Sequence, residues 1–257
     1  MTVRKRHNIK KRKLKGKKCR YLLITIAALL TLLLIVGLIH VSKHLQRHNL
    51  TVSHLEYPIQ GIDVSNHNGN IDFAKVAADS IAFVYIKATE GESHKDKRFA
   101  RNIHEARKAG LKAGAYHFFR KDVDGKAQAS HFIATISGVK TDLPPVVDVE
   151  DWGNSHFTTD SKTIENLIAM ITHLEKNGLS PMIYTNKSCY RKYMQKHLPK
   201  TRLWLCAFNH PRELSDYKWT IHQYSHWGNV DGIEGDVDLN VFNGDSVLWN
   251  SWLGSQP

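Results

Sequence analysis

The chain has 257 residues, 42% of them hydrophobic and 23% charged, with 16 Gly, 7 Pro and 3 Cys. This composition excludes collagen-like and disordered classes, and three cysteines cannot staple a chain of this length. The net charge of +12 is local: eleven of the 36 Lys and Arg fall in residues 1–20, which hold no Asp or Glu, and the remaining 25 face 24 acidic residues. The basicity therefore belongs to one tail and not to a binding surface.

Residues 22–39 follow that tail as LLITIAALLTLLLIVGLI, without a charge. Tyr21, His40 and Val41 extend the run to the roughly 20 residues that cross a bilayer as a helix. Positive charge before it holds the N-terminus in the cytoplasm. The expectation is a basic cytoplasmic tail (1–20), a transmembrane signal-anchor helix (21–41) and an extracytoplasmic remainder, single-pass in the cell (inner) membrane. A cleaved signal peptide, which would leave a secreted protein, shares this order of regions. The anchor is preferred, because the apolar run exceeds a signal core and no small-x-small site follows it. The tail would lie near anionic headgroups. It has no aromatic residue to stack bases, so no nucleic-acid partner is expected. Cys19 is expected to stay reduced or to carry a lipid.

Residues 42–59 are polar and aperiodic and read as a linker. Beyond them the pattern alternates. Strands are expected at 61–64, 81–88, 111–119, 143–149 and 181–185, with helices at 71–79, 95–108, 124–136, 159–177 and 188–197. Three further strands, 202–208, 219–224 and 237–242, have loops between them. Five strand–helix units imply parallel strands with right-handed crossovers. The predicted class is α/β: an irregular TIM-like barrel of five β/α units followed by three strands, preceded by the one transmembrane helix. An open doubly wound sheet is the alternative, disfavoured because no Gly-rich phosphate loop follows the first strand. The folded domain is placed at 60–250, with 251–257 as a C-terminal tail.

In such a barrel the chemistry sits at the C-terminal ends of the strands. Those ends carry Asp63, Lys87 with Glu90, Tyr116 with His117, Asp148 with Glu150, Tyr184, Trp204, Gln223 with Tyr224, and Asp238. Carboxylates among aromatic faces suit a sugar. In Pro144-Pro145-Val146-Val147-Asp148-Val149-Glu150 the two acids are two residues apart, so in a strand they share a face, about 6.5–7 Å from one another. Paired carboxylates raise each other's proton affinity, which supplies one acid and one base for cleaving a glycosidic bond. Strand-end polar residues without catalytic duty, or a divalent metal site, are the competing readings. No His/Cys set has zinc spacing, and neither a metal nor a cofactor is expected.

The segments Gly61-Ile62-Asp63-Val64-Ser65-Asn66-His67-Asn68-Gly69, Phe83-Val84-Tyr85-Ile86-Lys87-Ala88-Thr89-Glu90-Gly91, Gly114-Ala115-Tyr116-His117-Phe118-Phe119, Val147-Asp148-Val149-Glu150, Gln223-Tyr224 and Val237-Asp238-Leu239-Asn240-Val241-Phe242 occur in the order found in glycoside hydrolase family 25. The chain resembles these Chalaropsis-type lysozymes over roughly 60–250. The resemblance implies a barrel of five β/α units and three strands. It also implies an N-acetylmuramidase acting on peptidoglycan glycan strands, between N-acetylmuramic acid and N-acetylglucosamine. Glu150 would be the general acid/base. Asp148 would support the substrate's acetamido group as nucleophile or assist the sugar cation directly. Asp63 and Asp238 would hold sugar and water and tune the acid, with Asp238 chosen over Asp236 from its Val-Asp-Leu-Asn context. Tyr85, Lys87, Tyr116, Tyr184, Trp204 and Gln223 would line the groove. Phe208 departs from the Tyr found in relatives, which puts one substrate contact in doubt. A catalytically silent peptidoglycan-binding module is the alternative function. Cys189 and Cys206 are expected as two buried thiols, His117 as a packed side chain, and the protein as a monomer.

Overall fold

A computed structural model describes residues 21, 24–26, 28–39, 41–42, 50–155 and 157–255. The chain divides into two units, residues 1–49 and 50–257. The predicted tail, with Cys19, lies outside the described residues. In the first unit the described residues from 21 to 42 are helical, and the large apolar side chains from Ile24 to Val41 are 45–67% exposed. Among the described residues no helix is long and apolar enough to cross a membrane. Residues 22, 23, 27 and 40 of the expected span are not described.

The second unit is a closed eight-stranded barrel with one short added strand. The elements are β1 (Gln60–Val64), α1 (Phe73–Ala78), β2 (Ile81–Glu90), β3 (His94–Lys95), α2 (Phe99–Lys108), β4 (Lys112–Phe118), α3 (Gly125–Ile136), β5 (Val146–Val149), α4 (Asp160–Lys176), β6 (Met182–Asn186), β7 (Arg202–Cys206), β8 (Trp219–Gly228), β9 (Val237–Phe242) and α5 (Ser246–Gly254). The order β1-β9-β8-β7-β6-β5-β4-β2 closes through β1–β2. This bears out a closed eight-stranded α/β barrel, with helices α1–α4 following β1, β2, β4 and β5, a short helical segment after β6, and three further strands. One expectation changes: β9 is antiparallel to both β8 and β1, so the strands are not all parallel. A parallel strand there needs a crossover of a dozen or more residues, and the eight between β8 and β9 are too few.

Side chains alternate across the barrel wall as the period of two requires. On β5, Val147 and Val149 join the layer between barrel and helices, whereas Val146 belongs to the cluster inside the barrel. Asp148 and Glu150 continue the Val146 face. The interior is filled by large rings, and glycines make room for them. A Cβ on Gly114 would sit 2.4 Å from the Tyr85 ring, and one on Gly61 would sit 2.3 Å from Phe83.

Local signals explain most helix ends. Asp124 caps α3 by accepting from Ala127 N–H at 2.9 Å, Thr159 caps α4, and Gly178 at φ +78° stops it. Two helices deviate from expectation. The segment 95–108 becomes helical only at Phe99, because His94–Lys95 pairs back onto Thr89–Glu90. The helix expected at 188–197 is instead a short turn, Lys187–Cys189, running into the π-helical Tyr190–Met194.

The boundaries of the folded unit also shift. It begins at residue 50, not 60: Val52 and Ile59 are buried apolar residues that the polar composition of 42–59 concealed. It continues past 250, because α5 carries Trp249, Trp252 and Leu253 onto the inner cluster. Trp249 lies 5.4 Å from Phe83, 5.0 Å from Phe242 and 5.2 Å from Trp252, centroid to centroid. A Trp249→Ala substitution is expected to cost about 3–5 kcal/mol, the range for emptying a large aromatic site. Urea denaturation of the full chain checks this.

Candidate active site

The strands deliver their last inward side chains to one end of the barrel, where a cleft of about 610 Å³ opens. Asp63 ends β1, Lys87 and Glu90 end β2, Tyr116 and Phe118 end β4, and Asp148 ends β5 with Glu150 just beyond it. All of them line this cleft, together with Tyr184, Trp204, His226 and Asp238. Asp238 arrives differently. It stands near the start of β9, and only a strand running antiparallel presents its beginning at this end. In register it lies opposite Asp63.

Asp63 is the centre of a hydrogen-bond network. Its Oδ2 accepts from Gln223 Nε2 at 2.9 Å and from Asn240 Nδ2 at 2.7 Å. Gln223 Oε1 accepts from the Tyr184 hydroxyl at 2.8 Å, and Asn240 Oδ1 accepts from Trp204 Nε1 at 2.8 Å. One carboxylate thus fixes two cleft aromatics through two amides. His226 Nδ1 pairs with Asp238 Oδ1.

Four carboxyl groups in so small a volume cannot all be ionised cheaply. Burial first, then the Asp238 charge, push Asp63 well above the ordinary carboxylate range. Burial, then Glu150 and Asp63, push Asp148 well above it. Glu150 is raised by burial, against a pull downward from the Tyr184 hydroxyl. Asp148 Oδ1 is buried with no hydrogen-bond partner. The site therefore favours the protonated form of its carboxyls more than water does, and it contains one buried acceptor without a partner. This is the equipment for acid/base cleavage of a bond between sugars.

Residues 62–233 match the profile of glycosyl hydrolases family 25. The chain belongs to that family. The family 25 chain is 36% identical over 207 residues to Lysozyme M1 of Streptomyces globisporus, covering 74% of this chain and 69% of the relative. The structure of a family 25 glycosyl hydrolase from Bacillus anthracis superposes with a TM-score of 0.70 at 34% identity, covering 76% of this chain and 94% of that one. The bacterial lysozyme from Streptomyces coelicolor gives a TM-score of 0.67 at 30% identity, covering 77% and 98%.

The barrel brings together all four predicted acids of this glycoside hydrolase. It also brings Lys87, Tyr116, Tyr184 and Trp204 to the cleft. Two groove predictions are corrected. Tyr85 is fully buried below the cleft, donates its hydroxyl to Pro144 O at 3.1 Å, and packs 4.8 Å from Trp204. It supports the floor because the glycine at 114 lets its ring turn inward. Gln223 is 1% exposed, so it orients Asp63 and Tyr184 from behind instead of facing sugar. Asp236 is exposed and does not line the cleft.

The sequence reading missed Ser65, His67, Phe118, Arg120, Trp152, Gly153 and His226 on the wall and Asn240 behind it. Most sit within or one or two residues beyond quoted motifs. His226 was hidden because β8 runs to Gly228, past the expected end at 224. Phe208 packs edge-on to His226 at 4.4 Å. His117 is a packed side chain, bonded to Thr89 and Gln128 and depressed to about 3 by burial. Cys189 and Cys206 are free and buried.

Proposed function

We propose that this family 25 hydrolase is a membrane-anchored N-acetylmuramidase that cuts the β-1,4 bond between N-acetylmuramic acid and N-acetylglucosamine. Hydrolysis of peptidoglycan is the activity that family membership and the lysozyme relatives carry to this chain. The observation behind the residue roles is the placement of Asp148 and Glu150 on one cleft wall, with both carboxyls raised by burial.

Glu150, the more open of the two, gives its proton to the leaving glycosidic oxygen as the C1–O bond breaks. Asp148 Oδ1, buried without a protein partner, accepts a hydrogen bond from the 2-acetamido N–H. The acetamido oxygen then closes onto C1. Positive charge developing there reverses the penalty on Asp148, because the burial that resists a lone carboxylate strengthens its pairing with a cation. Glu150, now ionised, takes a proton from water, and that water reopens the intermediate. Asp63 and Asp238 hold the sugar and the water. Tyr116 and Tyr184 supply faces for the rings, with the nearly buried Trp204 behind them.

The anchor reading rests on the uncharged run at 22–39 and the basic residues before it. This reading places the run single-pass in the cell membrane, with the rest of the chain outside.

Purified peptidoglycan incubated with the full chain is expected to release fragments with muramic acid at the new reducing end, read by mass spectrometry. Glucosamine at that end would reverse the bond choice. Pull-down of peptidoglycan without new reducing ends would make the protein a binding module. A C-terminal reporter that functions only outside the cytoplasm is expected to be active, and an inactive one rejects the anchor's orientation.

A further inference from the structure

Lys87, Glu90 and Arg120 make a corner of the cleft to which the proposed steps assign no contact with substrate, although the Lys87 charge pulls the Asp148 pKa downward. Lys87 Nζ donates to Glu90 Oε2 at 2.6 Å. Arg120 follows β4 and donates to Glu90 Oε1 and to the Gly153 carbonyl. Both cations lie over the Phe118 ring, Lys87 Nζ at 4.9 Å and Arg120 Cζ at 5.4 Å from its centroid. Phe118 pairs in register with Asp148, so the corner borders the reacting centre.

Charge in the cleft is segregated. Among the described residues, the Lys and the Arg that line it both sit at this corner, while Asp63, Asp148, Glu150 and Asp238 form the acid cluster. Two cations against one carboxylate leave the corner net positive. After bonding Glu90 and Gly153, the ammonium and the guanidinium still hold further N–H donors.

The two sugars of a peptidoglycan strand differ at C3, where muramic acid carries a lactyl ether. A site that reads that group distinguishes the two sugars. Resting on the muramidase reading, we propose that the Lys87–Glu90–Arg120 corner is an anion subsite that binds a carboxylate on the C3 side of the muramyl ring and so selects muramic acid. In strands stripped of peptide the carboxylate is the lactyl group's own. In intact strands it belongs to the stem peptide.

The test measures kcat/KM of the full chain on three substrates: stem-bearing strands, stripped strands, and stripped strands whose lactyl carboxylates are converted to amides. Arg120→Gln is expected to lower the ratio of charged over amidated strands about tenfold, the scale of one charge-assisted hydrogen bond, mainly through KM. Arg120→Lys retains most of the preference. Glu90→Gln removes the countercharge and raises the ratio. A fall on stripped strands supports the subsite with the lactyl carboxylate as ligand. A fall on stem-bearing strands alone supports it with the stem's. Equal losses on charged and amidated strands in Arg120→Gln, with no gain in Glu90→Gln, overturn the subsite. Arg120 would then be a tie for the Gly153 loop. Wild-type protein that cuts none of the three overturns the muramidase reading as well.

Discussion

Glu150→Gln is expected to lower kcat on peptidoglycan by at least about a hundredfold, the lower end of what a positioned general acid contributes. The amide keeps the shape of the side chain and its place beside Tyr184, but it has no proton to give to the leaving oxygen. KM should change little, because the other side chains that line the cleft are untouched. Turbidity loss of a peptidoglycan suspension, with initial rates at several concentrations, separates the two constants. The fold should not suffer, since Glu150 is raised by burial and its ionised form is a burden on the cluster. A variant with undiminished kcat would remove Glu150 from the acid role.

Asp148→Asn is expected to cut activity about a hundredfold, as the loss of one preorganised electrostatic group does, and to make the protein more stable at pH 7. The direction follows from linkage. The Asp148 carboxyl is pushed well above its ordinary 3.8, first by burial, then by Glu150 and Asp63. A carboxyl with a raised folded-state pKa favours folding fully below about pH 3.8. Wild type loses that contribution as pH climbs through the folded value, because the unfolded chain ionises more easily. Asparagine has no proton to lose. The melting temperature of the variant should therefore exceed that of wild type at pH 7, and the gap should close as pH falls toward 3.8. A variant equally stable or weaker at pH 7, with the same gap at every pH, would show that the charge is not what burdens this site.

Much of this site is legible in the sequence because its acids lie in strands, where a period of two fixes facing. Val147 and Val149 mark the outward side of β5, and that alone points Asp148 inward. Asp238 is legible as a residue but not as a position, since only the reversed direction of β9 brings the start of that strand to the cleft. Tyr85 shows where periodicity stops short. It correctly faces inward, as does Lys87 two residues later, but depth along the barrel axis decides which of them meets a sugar. That depth depends on register against β1 and β4. Arg120, Gly153 and Asn154 were illegible for another reason: they lie in loops, and their partners are distant in sequence. Asn154 donates to the carbonyl of Phe119, 35 residues before it, as well as to that of nearby Glu150. The domain ends escaped because 42–59 is polar on average and its few buried residues lack a pattern.

The antiparallel last strand and the tryptophan-bearing helix after it have a consequence for biogenesis. Asp238, Asn240 and Trp249 all come from residues 237–254, the final stretch of the described chain. A polypeptide emerging N-terminus first has neither a closed barrel nor an oriented Asp63 until that stretch is delivered. A chain that stops before residue 237 would lack Asp238, the Asn240 bond to Asp63 and the strand that closes the barrel.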